Sequence, residues 1–286
     1  MNPPDYSSLT PTIIEPAEGW LPLKLGEIWR FRELAFFLAW RDISVRYKQT
    51  VLGVLWAIIQ PFSSMVIFSI VFGQFAHISS EGIPYPLFSF AVLLPWQYFA
   101  TALTEASQSL INNERLITKV YFPRLIIPLA SILPALVDFV IAFLVFLGML
   151  LYYTLTSAYH VTITINLLWT PVFLLLALST ALGAGLWIAA LNVQYRDFRY
   201  VVPFLVQAWM YASPVIYPLS NVPQQWQTLY GLNPVVGVIE GFRWILLNTE
   251  PILTPVTFIS TLAAGALLIS GAYYFRRVED TFADVV

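Results

Sequence analysis

Two carboxylates interrupt otherwise apolar sequence, Glu105 and Asp138, and an acid in that setting is the first place to look for chemistry. At membrane depth a carboxyl group is costly unless it faces protein or water, and in pumps such groups relay protons. Each acid is isolated on its own stretch, with no Lys, Arg or His in another apolar stretch to pair with it. That pattern fits a helix-to-helix hydrogen bond better than a relay, and an acid buried without a partner tends to be neutral. Nucleophilic and metal chemistry find less support still. Cysteine is absent, which removes thiolates, disulfides and Cys-based metal sites. The two histidines, His77 and His160, form no HExxH or other paired spacing, so no metal site is expected. Acyl transfer or proteolysis inside a membrane needs a nucleophile and a base at depth, whereas both histidines fall in turns between apolar runs. No GxxxxGK(S/T) nucleotide loop is present. The residues argue for a chain that performs no covalent chemistry of its own.

The elements that must position these residues follow from composition. Hydrophobic residues make up 58% and charged residues 10% of the chain, and the mean hydropathy is +0.73, far beyond a soluble domain. Lipid is the expected solvent. A net charge of −2 offers no basic surface to nucleic acid, so none is expected as a partner. Crossing the hydrocarbon core takes about 20 apolar residues in a helix. Apolar runs, charge-free apart from Glu105 and Asp138, meet that requirement at 51–76, 87–110, 125–153, 166–191, 200–217 and 251–275, which predicts an all-α membrane protein of six spans. The uncharged run 139–195 is too long for one crossing, and its polar middle, 154–164, becomes an external turn.

Four regions result. Residues 1–26, rich in proline and with neither the basic start nor the apolar run of a signal peptide, are expected to be an irregular cytoplasmic extension. Residues 27–48 mix Trp29, Phe31, Phe36, Phe37 and Trp40 with Arg and Lys, which suggests an interface helix in the inner headgroup layer. The six-span domain occupies 49–276, and 277–286 form a cytoplasmic tail. Between spans five and six, residues 220–248 are broken by Pro223, Pro234, Glu240 and Arg243. Two short helices, interfacial or re-entrant on the outer side, suit this segment, because a full crossing would have to bury Glu240 and Arg243. With both termini inside, thirteen of the 14 Lys and Arg lie on the cytoplasmic side and only Arg243 outside, as the positive-inside rule requires.

Three stretches carry a resemblance. Residues 41–53, with Arg41, Asp42, Arg46, Tyr47 and Lys48, are followed by Trp56 and Pro61 at the entry to span one. Asn192 to Asp197 with Pro203 precede Ser213-Pro214-Val215-Ile216-Tyr217, and Leu232-Asn233-Pro234 leads to Phe242-Arg243. In this order they resemble the permease subunits of the ABC-2 type polysaccharide exporters, the family of O-antigen, capsule and teichoic acid export. The match runs from about Leu34 to the C-terminus and leaves out 1–26. The resemblance implies a homodimer around one conduit in a bacterial inner (plasma) membrane. It also implies two copies of a separate ATP-binding-cassette ATPase on the cytoplasmic side. ATP and Mg would then sit on that partner, with no cofactor in this chain, and the cargo would be a lipid-linked glycan.

The candidate site residues follow. Basic residues in a short inner connector ordinarily fix topology; the resemblance implies instead that Glu114, Arg115, Leu116 and Lys119 form a coupling helix that docks on the ATPase. Arg196 and Asp197, beside Tyr195 and Arg199, are either topology anchors or a second coupling site. Phe68, Phe72 and Phe75 fall at i, i+4 and i+7, and Phe204, Gln207 and Tyr211 at i, i+3 and i+7, so each set shares a helical face. Such stripes can pack in a bundle or face lipid. The family places spans one and five around its conduit, and Gln207 would be expensive against hydrocarbon, which favours a substrate path. Competing readings are an exporter of a small molecule or drug and a proton-coupled flippase; the latter would call for paired intramembrane charges or internal repeats, which are not found.

Overall fold

The computed structural model of the chain describes residues 25–48, 53–156, 164–195, 197–249, 254–279 and 282. Among these residues all regular structure is helical, with no strand. Helices α1 (Leu25–Arg30) and α2 (Arg32–Lys48) precede α3 (Gly53–Phe68), which runs on as a π-helix over Ser69–Phe75. Then come α4 (Tyr85–Asn112), α5 (Glu114–Lys119), α6 (Ile126–Ser131) and α7 (Leu133–Leu155). A 3-10 turn, Ile165–Trp169, opens α8 (Thr170–Gln194), followed by α9 (Phe198–Tyr211), α10 (Gln224–Tyr230), α11 (Pro234–Leu247) and α12 (Pro255–Val278).

Helix α4 is the axis of the bundle. It packs most extensively on α8, and also on α7, α11, α3 and α6, while α8 in turn packs on α12. In its apolar stretch 78% of residues are buried, against 11% for Val54–Phe75, so α4 is core and α3 is periphery. Helices α8 and α12 meet backbone to backbone. A Cβ on Gly271 would come within 2.3 Å of the Gly183 carbonyl oxygen, and one on Gly183 within 2.6 Å of the Leu268 nitrogen, so this crossing requires glycine on both sides.

Proline sets several boundaries. Pro86, Pro134, Pro171, Pro234 and Pro255 stand in the first turn of their helices, where a missing N–H costs nothing. The third apolar run is one element in sequence but breaks at Ile132 into α6 and α7, because Pro134 cannot donate to the carbonyl of Ala130.

Five helical stretches are long and apolar enough to cross a membrane: Val54–Phe75, Tyr85–Asn112, Ile126–Leu155, Ile165–Gln194 and Pro255–Val278. They correspond to predicted spans one to four and six, and make the chain a multi-pass membrane protein. The predicted fifth, 200–217, differs. Helix α9 stops at Tyr211 after 14 residues, about 21 Å at 1.5 Å per residue against a core of about 30 Å. Pro214 and Pro218 explain the stop, since neither can continue the hydrogen-bond ladder and each disfavours helical backbone in the residue before it. The segment after α9 does hold two short helices, α10 and α11, but α11 is no surface feature. Twelve of its 14 residues are buried, Arg243 among them.

Candidate functional site

Polar residues of α2, α4 and α7 converge on Arg46. It lies near the end of α2, and its Nη1 donates to Asp138 Oδ2 of α7 at 2.8 Å while Nη2 donates to Glu105 Oε1 of α4 at 3.0 Å. The neighbouring Tyr47 hydroxyl donates to the other oxygen of Asp138. Burial, and next the hydrogen bond to Asp138, hold the Tyr47 phenol far above its ordinary value, so it keeps its proton at any physiological pH. The two acids that looked isolated therefore share a guanidinium, supplied by α2 rather than by another span. One turn earlier, Arg41 Nε donates to Asp42 at 2.8 Å and its Nη2 to Asn113 Oδ1 at 2.8 Å. Asn113 immediately precedes α5. Three of the four motif residues, Arg41, Arg46 and Tyr47, thus fasten α2 to Asn113, α4 and α7, while Asp42 holds Arg41 in place.

Helix α5 turns Ile117 inward and packs Leu116 against the core, while Glu114, Arg115 and Lys119 stand exposed. The segment that follows it is clasped at Arg124 from the C-terminus. The backbone N–H of Arg124 donates to Glu279 Oε1 at 2.9 Å, the Arg124 guanidinium donates to the Glu279 carbonyl, and Arg276 bridges to the same carboxylate. Phe282 is buried and meets Phe275 edge-on at 5.2 Å. The expected tail at 277–286 is thus docked at Glu279 and Phe282. Of the other inner loop, Arg196 lies outside the described residues; Asp197 is exposed, and Arg199 sits over the Tyr200 ring at 5.2 Å.

The two aromatic stripes are not brought together directly. Helix α3 packs on α4 and α7, whereas α9 packs on α4 and α8. Phe68 and Phe72 touch edge-to-face at 5.1 Å, but the π-helical turns over Ser69–Phe75 break the 3.6-residue period, so Phe75 is not held in the expected register. Phe75 is 78% exposed, Phe204 71% and Tyr211 54%, and Gln207 is exposed as well. Packing inside the chain's own bundle therefore does not account for these four, whereas Phe68 and Phe72 are half-buried and Phe68 packs against the core.

A second polar node, which the sequence did not announce, joins α11 to the turn after α9. Arg243 is buried to 1% exposure. Its Nη1 pairs with Glu240, its Nη2 donates to the carbonyls of Pro214 at 2.6 Å and Tyr217 at 3.0 Å, and the guanidinium lies 4.8 Å from the Phe88 ring centre. Asn233 caps α11 by accepting from the Val235 N–H, and its amide donates to the Ala212 carbonyl and Ser213 Oγ; Trp209 Nε1 donates to Asn233 Oδ1 at 2.8 Å. The Ser213–Tyr217 and Leu232–Pro234 motifs are in this way two halves of one contact. Among the described residues no group of three or more His, Asp or Glu is placed to hold a metal ion.

The sequence pattern of the ABC-2 type transporter family matches residues 33–247. The chain belongs to that family. The O-antigen export system permease protein RfbA of Myxococcus xanthus is 27% identical over 264 residues, which is 91% of this chain and 98% of that protein. RfbA of Klebsiella pneumoniae is 26% identical over 249 residues, 86% and 92% of the two chains. The polysialic acid transport protein KpsM of Escherichia coli is 27% identical over 217 residues, 73% and 78%. The ABC-2 match begins in α2 and ends with α11, so it contains both the Arg46 node and the Arg243 node, while the Glu279 clasp lies beyond it.

Proposed function

We propose that this ABC-2 protein is the membrane subunit of an ATP-driven exporter that carries a lipid-linked polysaccharide from the cytoplasm across a bacterial inner membrane. The observation that carries the proposal is a similarity to O-antigen permeases along almost the whole of both chains. The similarity to a polysialic acid transport protein points to the same chemical class. In this reading two copies form the conduit, and two ATPase subunits bind ATP and Mg on the cytoplasmic side. The chain crosses six times with both termini inside; α9 and the turn pinned by Arg243 make the fifth crossing. Helix α5, held between Asn113 and the Glu279 clasp, carries the ATPase stroke, with Asp197 and its loop as a second contact. Exposed aromatic faces on α3 and α9 line the path.

Deletion of the gene tests this. A lipid-linked glycan should build up inside the cells and vanish from their surface, and a plasmid copy should reverse both. Unchanged surface glycan with loss of resistance to a small toxic compound would favour export of a small molecule instead.

A further inference from the structure

A cavity of about 350 Å³ lies between α3, α4 and α7, reaching from Arg46 and Asp138 to the middle of α4. Its lining is unusual for membrane depth, where polar side chains are costly unless they have work to do. Helix α4 contributes Gln97, Tyr98 and Thr101, and α3 contributes Trp56 and Gln60. Gln97 and Thr101 are four residues apart, as are Trp56 and Gln60, so each pair shares a helical face. Tyr98 is 2% exposed, and its hydroxyl has no hydrogen-bond partner, although nearly all buried polar groups have one. The cavity thus presents two carboxamides and two hydroxyls with hydrogen-bonding capacity to offer.

The charges nearby restrict what can bind. Arg46 is engaged by Asp138 and Glu105, and Tyr47 occupies the second oxygen of Asp138. An incoming anion would have to displace two carboxylates from the guanidinium. A neutral ligand rich in hydroxyls meets no such competition. Carboxamides present a donor and an acceptor side by side, and hydroxyls serve as either, which matches the vicinal hydroxyls of a sugar. Trp56 and Phe139 add aromatic rings to the lining, against which the C–H face of a pyranose can lie. The volume is at the lower end of ligand pockets, which run from about 300 to 1,000 Å³. It suits a short terminal unit and excludes a polymer.

We propose that this cavity binds a neutral sugar unit at one end of the exported glycan, as a recognition pocket apart from the aromatic faces that guide the chain. The proposal rests on the reading of the protein as a glycan exporter. The test uses the absence of native cysteine. The permease with its ATPase is placed in lipid nanodiscs, with Gln97→Cys, or Gln60→Cys on the opposite wall should the first fail to assemble. The rate of modification by a small methanethiosulfonate is then measured with and without the cell's own glycan, released from its lipid by mild acid.

The glycan should slow modification about tenfold, and adding Tyr98→Phe and Thr101→Val should raise the protecting concentration by at least tenfold. Equal rates with and without glycan, or no modification at either position, overturn the pocket. So does protection that survives the Tyr98 and Thr101 changes undiminished, because the glycan would then be blocking access from elsewhere. Protection by inorganic pyrophosphate but not by glycan would also overturn it. Loss of export on gene deletion without protection at Gln97 would remove the pocket and leave the exporter standing.

Discussion

Arg243 shows how a buried charge is made tolerable. Its guanidinium has an acid three residues away on its own helix, two backbone carbonyls from the turn after α9, and an aromatic face from α4. Those carbonyls belong to a stretch that Pro214 and Pro218 bar from regular helix, so they need donors from elsewhere. One side chain therefore satisfies the irregular turn after α9 and fixes it to the core. Truncation, Arg243→Ala, would strand Glu240 and both carbonyls, at a cost of about 3 kcal/mol. The unfolding midpoint of the detergent-solubilised protein should fall by several degrees, and the paired change Glu240→Gln with Arg243→Gln should fall less. A single and a double variant of equal stability would refute the pairing. The aromatic residues proposed to line the path carry a different expectation. Phe72→Ala, Phe204→Ala and Tyr211→Ala together should slow glycan export several-fold while assembly and ATPase binding persist. Export at the parental rate by the triple variant would return these rings to lipid contact or to the dimer interface.

At the scale of elements, the surface around α5 is a set of short pieces tied by polar side chains as well as by apolar packing. Helix α5 has six residues, too few to be stable alone. Arg41 holds Asn113 just before it, and the Glu279 clasp holds Arg124 in the segment after it; a push on α5 as a docking element would reach α2 through Asn113 and α12 only through that segment. If α5 is the docking element, Arg115→Glu with Lys119→Glu should reduce co-purification of the ATPase at least several-fold and stop export. The amount of permease in the membrane should not change, since both side chains are exposed and, among the described residues, make no hydrogen bond or ion pair. Normal ATPase binding by this variant would leave the two as topology anchors. The break between α6 and α7 belongs to the same scale: Pro134 was visible in the sequence, but that it divides one span into two helices was not.

For the whole molecule, orientation is the property that cysteine chemistry reads most directly. Ser79, Gln225, Thr118 and Tyr200 are all exposed in the structure, and no native cysteine competes. Single cysteines at Ser79 and Gln225 should react with an impermeant maleimide in intact cells, and those at Thr118 and Tyr200 only after the membrane is opened. Labelling of Thr118 from outside would reverse the arrangement. Labelling of Tyr200 from outside, with Thr118 protected, would leave α9 as something other than the start of an outward crossing.

Much of this architecture was legible beforehand because hydrocarbon imposes a simple rule. Backbone groups must be satisfied within each crossing segment, so apolar runs of sufficient length become helices whatever their neighbours. Charge asymmetry orders those helices by the same locality, and ordered motifs at 41–61, 192–217 and 232–243 carried the family. What stayed hidden depends on separation. Arg46 meets Glu105 and Asp138 across 59 and 92 residues, and Arg124 meets Glu279 across 155. Nothing local marks such pairs, since each partner taken alone reads as an isolated acid or a topology anchor. The cost of burying Arg243 could be judged from sequence, but its compensation by the carbonyls of a turn 26 and 29 residues away could not. Likewise Gln60, Gln97, Tyr98 and Thr101 were unremarked positions on separate spans until α3 and α4 packed against α7. Local chemistry chose the helices; only their packing decided which polar groups would face one another, because in lipid a polar side chain's partner is set by whichever helix lies beside it.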